Sequence, residues 1–136
     1  MESSWLPAVA ALLLTTSAVA ADWVDVGADP HAKYYVDMES IKVDGENVSV
    51  LKRGIFTHIW TDTLDDVPTH FKETIGIVEI DCARRINRVT QIDMIGENGE
   101  VVWTSGAMKS RMWEEVRPNT HAQTAMELIC ARIGKS

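Results

Sequence analysis

Two cysteines, four histidines and a knot of aspartates are the obvious candidates for chemistry in this 136-residue chain. Cys82 and Cys130 have no C-x-x-C partner and no histidine close by, whereas a structural metal site wants three or four such ligands. In an oxidising compartment an even pair normally closes. A Cys82–Cys130 disulfide is therefore expected, with two free buried thiols as the alternative. His31, His58, His70 and His121 form neither H-x-x-x-H nor H-E-x-x-H. They read as surface or hydrogen-bonded polar residues, with no metal to hold. Asp62, Asp65 and Asp66 give D-x-x-D-D, which lacks the glycine and distal glutamate of an EF-hand loop and reads as a solvated acidic loop. There is no G-x-S-x-G, and no local motif sets a histidine against a serine. No catalytic, metal or cofactor residue is expected, and the chain reads as a non-enzyme.

Binding chemistry is easier to place. Trp103 and Trp113 flank a segment holding Gly106, Met108, Lys109, Arg111 and Met112. Exposed tryptophan beside arginine and methionine makes a protein-binding anchor, so Trp103, Arg111 and Trp113 are the candidate partner-binding residues. The competing and preferred reading has both tryptophans sealing the edge of a small sheet core. Arg84, Arg85 and Arg88 read as a salt-bridged strand end rather than a ligand site.

The elements that carry these residues are mostly strands. Asp22–Val26 and Lys33–Asp37 have the alternation and β-branched or aromatic content of short strands, with a turn at Gly27–Pro30. Ser40–Val43 and Val48–Leu51 flank Asp44-Gly45-Glu46-Asn47, read as a four-residue hairpin loop, and the second arm continues to Trp60. Thr61–Pro68 is polar, acidic and proline-ended, and so expected to be a loop. From Phe71 to Cys82 a longer strand puts Val78, Ile80 and Cys82 on one face and Glu79 and Asp81 on the other. Ile86–Ile95 and Glu100–Ser105 form a hairpin through Gly96-Glu97-Asn98-Gly99. The break at Cys82–Arg85 lacks glycine or proline.

The period then changes. Thr120-His121-Ala122-Gln123 is a T-x-x-Q capping box. Ala122, Ala125, Met126, Ile129, Cys130 and Ile133 recur on one helical stripe, stopped by Gly134. Both cysteines thus fall on apolar faces, one on a strand and one on a helix. The expected fold is α+β: an antiparallel sheet of five to six strands with one C-terminal helix packed on it and pinned by the disulfide.

Residues 1–20 read as a signal peptide. An uncharged apolar run from Leu6 ends in Ser17-Ala18-Val19-Ala20, so cleavage is expected after Ala20. The run is shorter than the roughly 20 residues a membrane span requires, and Pro7 shortens any helix further. Its first residues carry Glu2 in place of the usual lysine or arginine. No cysteine near the cut would take a lipid anchor. Residues 21–136 are then a single domain, exported to the periplasm or secreted, with no stable membrane span. The net charge of −7 and well-mixed surface argue against nucleic acid and anionic membranes as partners. With 46% apolar residues the chain can bury a real core.

The order of features resembles the surface-adhesin protein E-like family of small bacterial envelope proteins. The resemblance rests on Trp23-Val24, Tyr34-Tyr35-Val36-Asp37, Ser40-Ile41, Asp81-Cys82, the basic stretch Arg84–Arg88, and the hairpin exit Gly99–Val102. It ends with a tryptophan before Val116-Arg117-Pro118-Asn119-Thr120, then the helix carrying Cys130. It implies a sheet of about six strands with a C-terminal helix. It also implies a non-catalytic envelope domain, since some relatives bind host matrix or plasma proteins at the cell surface. A protein partner is expected, with edge pairing into a homodimer as one arrangement. The alternative is a periplasmic accessory module holding a small apolar molecule between sheet and helix.

Overall fold

The computed structural model describes residues 20–108 and 111–134. Residues 1–19 of the expected leader, residues 1–20, lie outside the described residues, as does Lys109. Seven strands and one helix follow in order: β1 Trp23–Ala28, β2 Ala32–Asp44, β3 Asn47–Leu64, β4 Val67–Asp81, β5 Ile86–Ile95, β6 Val101–Thr104, β7 Glu114–Glu115 and α1 His121–Arg132. The strands form one antiparallel sheet in sequential order from β1 to β6, with β7 pairing the opposite end of β5 from β6.

Several expected breaks are absent. The two short strands around Asp37 are one strand, β2, whose register shifts between Asp37 and Lys42. Side chains replace the lost ladder bonds there. The Asp37 carboxylate accepts from the amides of Asp22 and Glu39, and the Ser40 hydroxyl accepts from the amide of Leu51. Asp44 and Asn47 pair with each other, so the β2–β3 turn holds two residues rather than four.

The acidic stretch Thr61–Pro68 is not a loop. It closes a long β3–β4 hairpin in which Thr63 faces Pro68 and Leu64 faces Val67. Asp65 and Asp66 both adopt left-handed backbone, at φ 51° and 63°. Aspartate tolerates that conformation through its short polar side chain, and the paired positive φ matches the right-handed twist of the strands. The break after β4 likewise needs no glycine. Arg85 turns at φ 58°, its amide bonds to the Asp81 carbonyl at 2.9 Å, and the buried Asp81 carboxylate accepts from the Arg84 amide.

The helix lies across one face of the sheet against β1 and β2. Met126 and Ile129 are fully buried among Val26, Val36, Val48, Val50, Val78 and Ile80. Cys82 and Cys130 form a disulfide with Cα atoms 5.9 Å apart. The cap is as read at Thr120, whose hydroxyl accepts from the Gln123 amide at 3.2 Å. The Gln123 side chain reaches one residue further back than a capping box requires, to the Asn119 amide at 2.7 Å.

Candidate functional site

Alternation along β3 carries a buried face through Val48 and Val50 and onward to Lys52 and Gly54. The helix covers the two valines, and its first residue is His121. Lys52 and Gly54 therefore lie on the same sheet face just beyond the helix N-terminus. Cross-strand pairing sets Tyr34 opposite Gly54, Gly76 opposite Lys52, and Ile92 opposite Gly76.

Glycine at position 54 is a steric requirement of this spot. A Cβ there would stand 3.1 Å from Cε1 of Tyr34 and 3.0 Å from the Thr74 hydroxyl. The Tyr34 ring occupies that room and stacks on His121, with centroids 3.7 Å apart and planes 13° apart. Gly27 adopts φ 120° in the β1 irregularity, a backbone conformation that favours glycine, and packs beside His121. Nδ1 of His121 then lies 2.7 Å from the Lys52 ammonium nitrogen, which also sits 5.4 Å from the Tyr34 ring centroid. The Tyr34 hydroxyl donates to Asp29 at 2.8 Å, and Asp29 also accepts from the amides of His31 and Ala32.

Four shifted groups meet here. Burial pushes Lys52 down to about 8. Burial first, then the Lys52 charge, pushes His121 down to about 4. Tyr34 is pushed up to about 12, first by burial and then by its bond to Asp29. For Asp29 burial works the other way, but its three hydrogen bonds and the charge of His121 outweigh it and hold the carboxyl below its usual value. Convergent perturbation of this kind marks functional sites more often than chance places it.

Between these groups lies a half-open cavity of about 180 Å³, lined by Tyr34, Lys52, Gly54, Gly76, Val89, Ile92 and His121 with Thr74 and Val78. Its wall is almost entirely apolar. A wider depression of about 710 Å³ on the other side of His121, bordered by Asn87, Glu114 and Arg117, is open and polar.

The residues singled out from sequence are not brought together. Trp103 pairs with Met94 near one end of β5, and its Nε1 donates to Asp65 at 2.8 Å. Trp113 stands at the other end, its ring under the Arg88 guanidinium at 4.4 Å. Arg111 is exposed and offers its carbonyl to Arg88. Both tryptophans are half-buried at the rim, outside the central core. Arg84, Arg85 and Arg88 pair with Asp81, Glu127 and Glu79, a salt-bridged strand end as read. Among the described residues no three His, Cys, Asp or Glu side chains converge on a metal-sized site, and no helix is long and apolar enough to cross a membrane.

Sequence reading gave Lys52 and Tyr34 no binding role and took His121 for a surface or hydrogen-bonded polar residue. One signal was present: the run Val48, Val50, Lys52, Gly54 places a lysine and a glycine in phase with two buried valines.

A second gathering is apolar and exposed. Of the seven large exposed hydrophobics of the described chain, Ile59, Trp60, Val67, Val101 and Val102 belong to the far half of the β3–β4 hairpin and to β6. The Trp103–Asp65 bond ties those two elements together. This end lies beyond the cavity and away from the helix.

The model of the family described as surface-adhesin protein E matches residues 23–131. Three solved structures of Haemophilus influenzae protein E are similar to this chain. One has 20% identity and a TM-score of 0.62, over 89% of this chain and 92% of that one. A second crystal form has 19% identity and a TM-score of 0.62, over 88% and 95%. Protein E from the non-typeable organism has 18% identity and a TM-score of 0.60, over 88% and 82%. At these identities the likeness is one of fold. No curated protein sequence matches.

Proposed function

The chain belongs to the surface-adhesin protein E family, and we propose that it is an exported, non-catalytic domain that binds an extracellular protein through the apolar end of its sheet. The observation that carries this reading is the exposure of Ile59, Trp60, Val67, Val101 and Val102 along the far half of the β3–β4 hairpin and β6. Large apolar side chains grouped on a surface mark protein contacts, whereas scattered ones are ordinary. Trp60 is the natural anchor. Its ring is braced by Phe56 at 5.5 Å and by His31 at 5.0 Å while part of it stays in solvent. A braced aromatic loses little freedom on binding. Trp103 contributes by holding the hairpin turn to β6, whereas Arg111 and Trp113 stand at the opposite end of β5.

Export rests on the leader reading of residues 1–20 and agrees with a disulfide that an oxidising compartment would preserve. The periplasm or the medium is the proposed location, and a homodimer would pair through β1 or β6, the outer strands of the sheet.

The test has two parts. Protein purified from the cell envelope is passed over immobilised matrix and plasma glycoproteins, beside a Trp60→Ser, Val101→Ser double variant. Saturable binding by the native chain, weakened at least about tenfold in the variant, supports the proposal. Equal binding by both would overturn the assignment to this end of the sheet. Protease treatment of intact cells then separates surface display from the periplasm.

A further inference from the structure

We propose that the cavity beside Lys52 is a binding site for a carboxylate carried on a small apolar body, with the Lys52 ammonium as its counter-ion. This site is distinct from the apolar hairpin end, and it stands or falls independently of it.

The walls decide the body of the ligand. Tyr34 covers Gly54, Gly76 leaves bare backbone on the floor, and Val78, Val89 and Ile92 supply aliphatic sides. A Cβ at Gly76 would press on the Gln91 carbonyl oxygen at 3.2 Å and lie 3.6 Å from Val89 Cγ1 and 3.9 Å from Ile92 Cγ1, so a side chain there would crowd the floor and take up the space. An apolar cavity of about 150 Å³ accepts benzene. At about 180 Å³ this one has room for a phenyl ring or a branched aliphatic group.

The charges decide the head group. Lys52 has three donor hydrogens, of which His121 Nδ1 engages one. No salt bridge to Lys52 exists among the described residues. The nearest carboxylate of the cluster, Asp29, is drawn away by the Tyr34 hydroxyl and two backbone amides. Thr74 adds a hydroxyl to the rim, and the N-terminus of α1, which begins at His121, points its positive end toward the same place. A desolvated cation with a free donor face is complemented by an anion, and an apolar pocket behind it by an apolar tail. The chemistry is shared by a free aliphatic or aromatic acid and by the C-terminal residue of a polypeptide.

The test uses the exported protein with methyl and imidazole NMR signals as readout. It is titrated with 4-methylpentanoate and benzoate, with the matching neutral amides, and with a short peptide ending in leucine, free or amidated. The proposal expects saturable shifts at Val78, Val89, Ile92 and the His121 ring with the acids, and at least about tenfold weaker binding of the amides. Saturation by the free-ended peptide as well assigns the polypeptide source; saturation by the acids alone assigns the small molecule. Lys52→Met should abolish the preference for acid over amide while the cavity remains. Gly76→Val should abolish binding of both. Equal affinity for acid and amide in the native chain, or shifts that map away from the cavity, would overturn the proposal without recourse to any variant.

Discussion

The ammonium nitrogen of Lys52 stands 2.7 Å from Nδ1 of His121, and the His121 ring in turn lies flat on Tyr34. Nδ1 must act as the acceptor of that bond, so the ring is held neutral with its other nitrogen protonated. A protonated His121 would lose the bond and face a like charge. In an NMR titration the His121 ring should stay neutral to about pH 4. Its value in Lys52→Met should move up toward the ordinary 6.5, since one of the two depressing causes is gone. No change in that variant would show that burial alone sets it.

The same contact makes stability fall on acidification. His121 has a lower pKa folded than unfolded, so the unfolded chain binds the extra proton first. The stability held above about pH 6.5 is lost as pH drops through about 4. Lys52 is also depressed, to about 8, so its protonated form costs stability at neutral pH that is recovered as pH rises past 8 toward 10.5. Urea melts from pH 4 to 7 should show the midpoint falling with pH. The drop should shrink in His121→Phe, which keeps the stack and cannot titrate.

Replacing a half-buried cation by an apolar side chain of similar length should stabilise the fold. Lys52→Met is expected to raise the unfolding free energy by about 1 kcal/mol at pH 7, within the range seen when buried charges are replaced. Thermal melts would check it. A loss of more than about 1 kcal/mol would mean that the lysine serves the fold rather than a ligand.

The disulfide closes a loop of 48 residues. Loop entropy assigns it roughly 4 kcal/mol, a large share of the stability of a domain this size. Cys82→Ser with Cys130→Ser should lower the urea midpoint accordingly. Ile129→Ala, which empties a fully buried site under the helix, should cost about 3 kcal/mol by itself.

At the tip of the long hairpin Asp66 holds φ 63° without a bonding role for its side chain among the described residues, whereas Asp65 accepts from Trp103. Asp66→Gly should therefore gain about 0.5 kcal/mol, because glycine reaches that backbone without a steric penalty. Asp65→Gly should not gain, since it also releases Trp103. Chemical melts of the two variants side by side separate these effects.

Local pattern fixed much of this protein before any fold was known. Strand alternation placed Val78, Ile80 and Cys82 inward, the helical stripe placed Met126, Ile129 and Cys130 inward, and the Thr120 cap placed the start of α1. These are short-range consequences of periods 2 and 3.6 and of orphan amide donors, and they were enough to put one cysteine opposite the other. The turns at Asp65-Asp66 and Arg85 escaped because positive φ on a non-glycine residue is selected by pairing on both sides of the turn, not by the residues in it. The site escaped for a longer-range reason. Lys52, Tyr34 and His121 belong to β3, β2 and α1, and only the register of β2 on β3 lays the tyrosine over Gly54. Only the packing of the helix brings the imidazole to the lysine, and burial by those neighbours, which no single residue specifies, is what moves their proton affinities.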